Sequence, residues 1–325
     1  MAVRERKMGA ATRDAYGEAL LQLGGQDPRV VVLDADLSKS TKSGAFAKAF
    51  PDRFLNVGIA EANMVSMAAG LATCGLIPFA HSFASFLMCK TFDQLRMGVA
   101  NPRVNAKFVG SHGGISLGED GASQMAVEDI ALACALPHFQ VLVPADGAST
   151  RALTAAIAAH DGPVFMRTGR PKAPIVYGPE AAFPLGGSHL LQAGHDVTIV
   201  ANGLLVFEAL QAADMAAEIG LSVGVLDCYS VKPLDEAAVE RAARASGALL
   251  VAEEHLTTGG LGAMVAQAAA RCCPVPMDFV GVADRYGESG APDALLAHHG
   301  LTAAHLFARV QALAARKSQG LGVPA

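Results

Sequence analysis

The chain alternates short, continuous apolar runs with longer Ala-rich stretches, and this alternation constrains its fold more than any other feature. A strand with one wet face carries a polar residue at every second position. A strand that is apolar throughout must be covered on both faces, as in a parallel sheet flanked by helices. The runs that read as strands are Val30–Leu33, Lys107–Gly110, Gln140–Val143, Val164–Met166, Val197–Val200, Leu221–Leu226, Ala248–Ala252 and Met277–Val280. The helical stretches are Thr12–Leu23, Glu61–Cys74, Ser82–Ala100, Gly147–Ala159, Leu204–Ile219, Asp235–Ala245 and Gly259–Ala270. Their order predicts a layered α/β architecture with mainly parallel sheets and right-handed crossovers.

A chain of 325 residues is long enough for about two domains. Residues 169–187 hold four prolines and several glycines, and read as a linker over the surface. The expected division is therefore a domain over 1–170, a linker over 171–188 and a domain over 189–325. The small, polar end Lys317–Ala325 is expected to fray. Apolar residues make up 52% and charged residues 17%. Ordinary soluble domains carry about 25% charge, so the composition argues against disorder and for extra buried surface such as a subunit interface. A formal net charge of −5 gives no electrostatic footprint for nucleic acid. No apolar stretch is long enough to span a bilayer, and the basic start (Arg4, Arg6, Lys7) runs into a polar helix rather than a signal peptide. The six cysteines form no C-x-x-C pair; most sit in apolar surroundings and read as buried thiols of a cytoplasmic protein.

Four segments carry candidate chemistry. Glu61 opens an almost wholly apolar helix, where Met64, Met67, Ala68 and Leu71 offer a carboxylate little to pair with. A desolvated Glu has a raised pKa suited to proton traffic with a weak base, although a first-turn Glu also simply complements the helix dipole. Phe83 and Phe86, three apart at an expected helix start, share a face; they serve core packing or a platform for a flat heteroaromatic ring. The segment from Gly110 to Gly121 holds five glycines, His112, Glu119 and Asp120 at the end of a strand. That is a loop at the carboxyl edge of a parallel sheet, where ligands bind in such folds. Arg167 and Arg170 close another strand at the same edge, as solvated charge or as an anion-capturing pair.

Other matches are set aside. Gly114-Ile-Ser116-Leu-Gly118 is a literal G-x-S-x-G, but no helix follows Ser116 as a nucleophile elbow requires. Neither of the usual glycine-rich nucleotide motifs follows a strand. Gly259-Gly-Leu-Gly262 opens a helix and looks structural. Glu253-Glu-His255 and His298-His299 lack metal-site spacing.

Taken in order, Asp34-Ala-Asp36-Leu37, Ser40, Pro51-Asp-Arg-Phe54, Ile59-Ala-Glu61-Ala-Asn63-Met64, Phe92-Asp-Gln-Leu-Arg96, Gly118-Glu-Asp-Gly121, Asp227 and Lys232-Pro-Leu-Asp235 resemble transketolase. The resemblance covers nearly the whole chain but only the family's C-terminal half, comprising the pyrimidine-binding and C-terminal domains. No G-D-G…N signature for a metal and diphosphate is present. The resemblance thus implies one subunit of a split transketolase that moves a two-carbon ketol unit from a ketose phosphate to an aldose. It implies thiamine diphosphate, with Mg2+ (or Ca2+ or Mn2+) held mainly by a diphosphate-binding partner subunit, and self-pairing into a heterotetramer. By the same resemblance, Glu61 shares a proton with the aminopyrimidine, Phe83 and Phe86 stack on it, Leu37 presses on the folded cofactor and Asp36 lies near its thiazolium. Asp120 would bind a sugar hydroxyl; Ser40, His112 and Arg170 would hold the sugar phosphate. Gln124 stands where many bacterial and plant-type members carry His, so proton relay at the substrate carbonyl would pass through water, Gln124 or partner residues. Related split enzymes act on unusual sugars or 2-oxo acids, which is the alternative; a serine hydrolase using Ser116 and a subunit that has lost its chemistry are more remote.

Overall fold

A computed structural model of the chain describes residues 3–318. Eight strands lie in its first part: β1 (Met8–Ala11), β2 (Val30–Asp34), β3 (Phe54–Asn56), β4 (Ile77–Phe83), β5 (Lys107–Ser111), β6 (Gln140–Leu142), β7 (Val164–Arg167) and β8 (Lys172–Pro174). Six follow: β9 (His189–Gln192), β10 (Val197–Ala201), β11 (Val223–Asp227), β12 (Ser230–Lys232), β13 (Leu249–Leu256) and β14 (Met277–Val282).

A seven-stranded sheet runs in the order β12-β6-β7-β5-β4-β2-β3, and a five-stranded sheet in the order β14-β13-β10-β11-β9. Within these two sheets only β12 and β9, each at an edge, run antiparallel to their neighbours, while β1 and β8 form a separate antiparallel pair. The α/β fold with mainly parallel sheets is thus as expected. Every residue of β2, β4, β5, β10 and β11 is buried, which explains why their sequences lack polar alternation. One apolar cluster joins Phe108 and Val141 of the larger sheet to Val200, Leu226 and Val251 of the smaller, so apolar packing is continuous between the two.

Four features differ from the sequence expectation. The helix expected over Ser82–Ala100 gives way at its start to β4, which lies between β2 and β5. Pro78 obscures that strand because proline cannot donate to a ladder. It is tolerated because pairing with β5 begins only at Phe79. The helical remainder is broken into Ala84–Cys89, Phe92–Gln94 and a π-helical turn over Leu95–Ala100. The expected surface linker is partly built in: β8 pairs with β1, and Ala173 and Phe183 are buried. β12 returns from the later part of the chain to pair with β6. The cysteines are free, but only Cys228 is buried; Cys74 and Cys89 are exposed at helix ends and the other three are half-buried. Of the end expected to fray, Lys317 and Ser318 close the helix Ala303–Ser318, and the rest lies outside the described residues. No described helix is long and apolar enough to cross a membrane.

Candidate active site at the carboxyl edge of the larger sheet

The candidate residues converge on one edge because parallel strands deliver their carboxyl ends to the same side. β2 leads into Asp36, Leu37 and Ser40, β3 into Glu61, β4 into Phe83 and Phe86, β5 into His112, and β7 into Arg170. The turn after β2 is fixed from below by Asp34. This fully buried carboxylate accepts hydrogen bonds from Leu37 N at 2.6 Å, Thr41 Oγ1 at 2.7 Å and Ser43 Oγ at 2.9 Å. Asp36, exposed and at φ +64°, accepts from Asn56 Nδ2 at 3.0 Å.

Glu61 is the first residue of the helix Glu61–Thr73 and is 1% exposed. The sequence suggested that it lacks partners. It has two: Ser82 Oγ donates to Oε1 at 3.2 Å, and Lys90 Nζ lies 2.6 Å from Oε2. Lys90 arrives from the end of the helix Ala84–Cys89, too far along the chain for local pattern to reveal it. Its side chain is 52% exposed and its ammonium lies 5.5 Å from the centre of the Phe86 ring.

Phe83 and Phe86 come together, their rings 5.5 Å apart and 15° from parallel, although Phe83 ends a strand and only Phe86 is helical. Phe83 is nearly buried and stacks on His112 at 3.9 Å, so half-buried Phe86 presents the more accessible ring.

His112 sits at φ +60°. Its Nδ1 lies 2.8 Å from Ser111 Oγ and its Nε2 3.1 Å from Arg13 Nη1. Burial pushes its pKa down to about 3, and the positive charges of Arg13, Arg170 and Lys42 add to the effect. The imidazole is therefore neutral at physiological pH, and the arginines supply the positive charge. Arg13 also donates to Ser40 O at 3.2 Å. It was not singled out in the sequence, where it looks like an ordinary first-turn residue of the helix Thr12–Gln26. Arg170 donates to Leu117 O and its guanidinium lies 3.6 Å from Asp120 Oδ2. Ser40 O, Arg13 and His112 thus form one hydrogen-bonded group, and the Arg170–Asp120 pair stands near enough for the Arg170 charge to act on His112. Gln124 is half-buried, with its backbone oxygen accepting from Ser85 Oγ.

The other arginine does something else. Arg167 is 5% exposed and turns beneath the loop, donating to Ala126 O and Glu254 O. Ser116 is fully buried and its Oγ has no hydrogen-bond partner, so it is placed as no nucleophile is. Glu253 accepts from Leu261 N and Gly262 N, which gives the glycine-rich helix start the structural role expected of it.

Arg13 and Arg170 are guanidinium groups of the kind that bind oxyanions, and the charge of each bears on His112. The same edge carries a buried carboxylate and a flat apolar ring, which fits an aminopyrimidine: an acid for a ring nitrogen and a face for the ring.

Residues 8–175 match the model of the "Transketolase, pyrimidine binding domain", and residues 186–306 that of the "Transketolase, C-terminal domain". The chain is 42% identical over 306 residues to the 6-deoxy-6-sulfo-D-fructose transketolase subunit SqwH of Clostridium sp. (strain MSTE9), covering 94% of this chain and 95% of that one. It is 40% identical to a putative transketolase C-terminal section of Methanocaldococcus jannaschii, covering 92% and 94%. A solved structure described as "Split gene transketolase, inactive beta4 tetramer" superposes with a TM-score of 0.89 at 47% identity, covering 94% of this chain and 99% of that one.

Proposed function

Given that the chain belongs to the transketolase family, we propose that it is the pyrimidine-binding subunit of a split transketolase and works at an interface with a diphosphate-binding partner chain. The observation that carries this is the placement of buried Glu61, the Phe83–Phe86 pair and the Arg13–His112–Arg170 cluster on one sheet edge. Thiamine diphosphate, when bound, supplies the nucleophilic carbon and the electron sink needed to break and remake a carbon–carbon bond. The diphosphate and its divalent cation fall to the partner, since the buried carboxylates of this edge are engaged: Asp34 holds the turn after β2 and Glu61 pairs with Ser82 and Lys90.

Each residue then has a task. Glu61 holds a proton at the pyrimidine ring nitrogen and so sets the proton balance of that ring. Phe86, backed by Phe83, gives the ring its face. Leu37 and Asp36, on the turn after β2, would contact the cofactor, Leu37 by its apolar side chain and Asp36 on the thiazolium side. Arg13 and Arg170 grip the terminal anion of the donor, with Ser40 and neutral His112 completing the contact. Asp120, exposed beside Arg170, takes a sugar hydroxyl. Water, Gln124 or a residue of the partner chain carries the proton at the substrate carbonyl.

The donor class is a ketose with a terminal oxyanion, with phosphate as the first choice. A terminal sulfonate is the second reading, favoured by the identity to a subunit named for a sulfonated fructose. Two copies of this chain pair across the face carrying the helix Glu61–Thr73, flanked by Ile59 at 80% and Met97 at 51% exposure. With the partner this gives a heterotetramer; a related chain is known as a tetramer described as inactive.

The test is reconstitution. The purified chain is mixed with its partner, thiamine diphosphate and Mg2+, and two-carbon transfer is measured from phosphorylated and 6-sulfonated ketoses. Glu61→Ala should lose at least about 10²-fold in rate, as for a lost acid–base group. Near-normal turnover by that variant, or full activity of this chain alone, would end the proposal.

A further inference from the structure

None of the residues assigned above comes from the five-stranded sheet, yet that sheet reaches the substrate loop. Glu254, on β13, is 7% exposed, and its Oε1 accepts a hydrogen bond from Ser116 N at 2.6 Å. The next residue, Leu117, gives its carbonyl to Arg170. A chain of contacts therefore runs from Glu254 through the backbone of Ser116 and Leu117 to an arginine of the anion cluster. Arg167 braces the same base: it donates to Glu254 O at 2.8 Å and to Ala126 O at 3.0 Å, and Ala126 O also accepts from Gly114 N at 2.8 Å.

Two glycines make this possible. A Cβ on Gly113 would lie 2.0 Å from Arg167 Nε, and one on Gly114 would lie 2.2 Å from Glu254 Cδ. Both side chains pass through the space that any other residue would fill. Further along, a Cβ on Gly121 would meet Ser289 Oγ at 2.4 Å, and one on Gly118 would meet Pro292 Cγ at 3.0 Å. The glycine richness of this loop thus answers to close approach by side chains of later segments, rather than to a phosphate cradle.

We propose that Glu254 is a positioning residue for the donor's anionic end: it pins Ser116 N and so sets where Leu117 presents its carbonyl to Arg170 and where Asp120 stands. This gives the smaller sheet a part in the reaction, and it rests on the functional reading above. The effect falls on the donor and leaves cofactor activation alone, because Glu61, Phe83 and Phe86 sit on other elements.

The test uses the reconstituted holoenzyme and the two-chain complex without donor. Glu254→Met removes the acceptor at nearly constant length, and Glu254→Gln keeps it. In the methionine variant the apparent donor KM should rise about 10-fold or more, the scale on which small misplacements act. Hydrogen–deuterium exchange at the reactive carbon of bound thiamine diphosphate should stay within about 2-fold of wild type while binding geometry alone changes. Amide exchange of the peptide spanning 113–125 should speed up. The glutamine variant should restore both the KM and the amide protection. Gly114→Ala, which drives a methyl into the carboxylate, should reproduce the KM shift if the methionine variant does not fold. Unchanged amide exchange in the acceptor-free variants overturns the proposal whatever the activity. So does an unchanged donor KM, or an equal fall in cofactor exchange. Failure of the functional reading shows differently, as wild-type complex without cofactor exchange or transfer.

Discussion

His112 offers a measurable test of the electrostatics of the cluster. An ordinary histidine, with a pKa near 6.5, is about 97% protonated at pH 5. His112, pushed down to about 3 by burial and then by the three neighbouring cations, is about 1% protonated there. The unfolded chain therefore binds more protons than the folded one between about pH 3 and 6.5. Stability from this group is full above pH 6.5 and falls as the pH is lowered through that window. At pH 5 the cost is about 2 kcal/mol, to order of magnitude. His112→Asn keeps a residue that tolerates φ +60° and removes the titration. Two-dimensional NMR of the histidine Cε1–H groups, assigned by this variant, should show His112 flat from pH 8 to pH 5. Urea midpoints should fall less in the variant than in wild type between pH 7 and pH 5. A His112 resonance with a midpoint near 6 to 7 would refute the reasoning and return the positive charge to the imidazole.

Two further outcomes are expected. Arg170→Ala should raise the apparent donor KM of the reconstituted enzyme by about 10- to 100-fold, the worth of a charge-assisted pair, and a control ketose without a terminal anion should show little change; equal effects on both would remove Arg170 from the anion site. Gly17→Ala should destabilise the chain by about 1–3 kcal/mol, because its methyl would lie 2.6 Å from Lys42 Cβ and 2.8 Å from Lys42 O; a thermal midpoint equal to wild type would show that the Lys42 turn moves freely.

The parallel core was legible where burial on both faces left an apolar run, as at Val30 to Leu33, or one broken only by a threonine, as at Val197 to Ala201. The site edge was legible because chemistry-bearing residues follow such runs directly. What escaped has physical reasons. β4 carries Pro78, His81 and Ser82, which local pattern reads as a strand breaker and a helix cap. β8 and β12 are three residues each and exist only through partners far away in sequence. Lys90 and Arg13 matter because the fold brings them to Glu61 and His112, across 29 and 99 positions. The carboxylate of Glu61 looked friendless because the sequence shows only its own helix. The role of Glu254 was hidden for the same reason: its acceptor faces an amide 138 residues earlier.

The return of β12 to the edge of the larger sheet carries a practical message. It covers the ladder groups of β6 that would otherwise lie open. Arg4, near the start of the chain, meanwhile reaches Asp214 on the helix Leu205–Glu218. The halves are laced together in both directions. Cutting the polypeptide near residue 185 would thus yield a leading fragment with a raw, sticky border, so anyone building chimaeras from this protein should swap it whole.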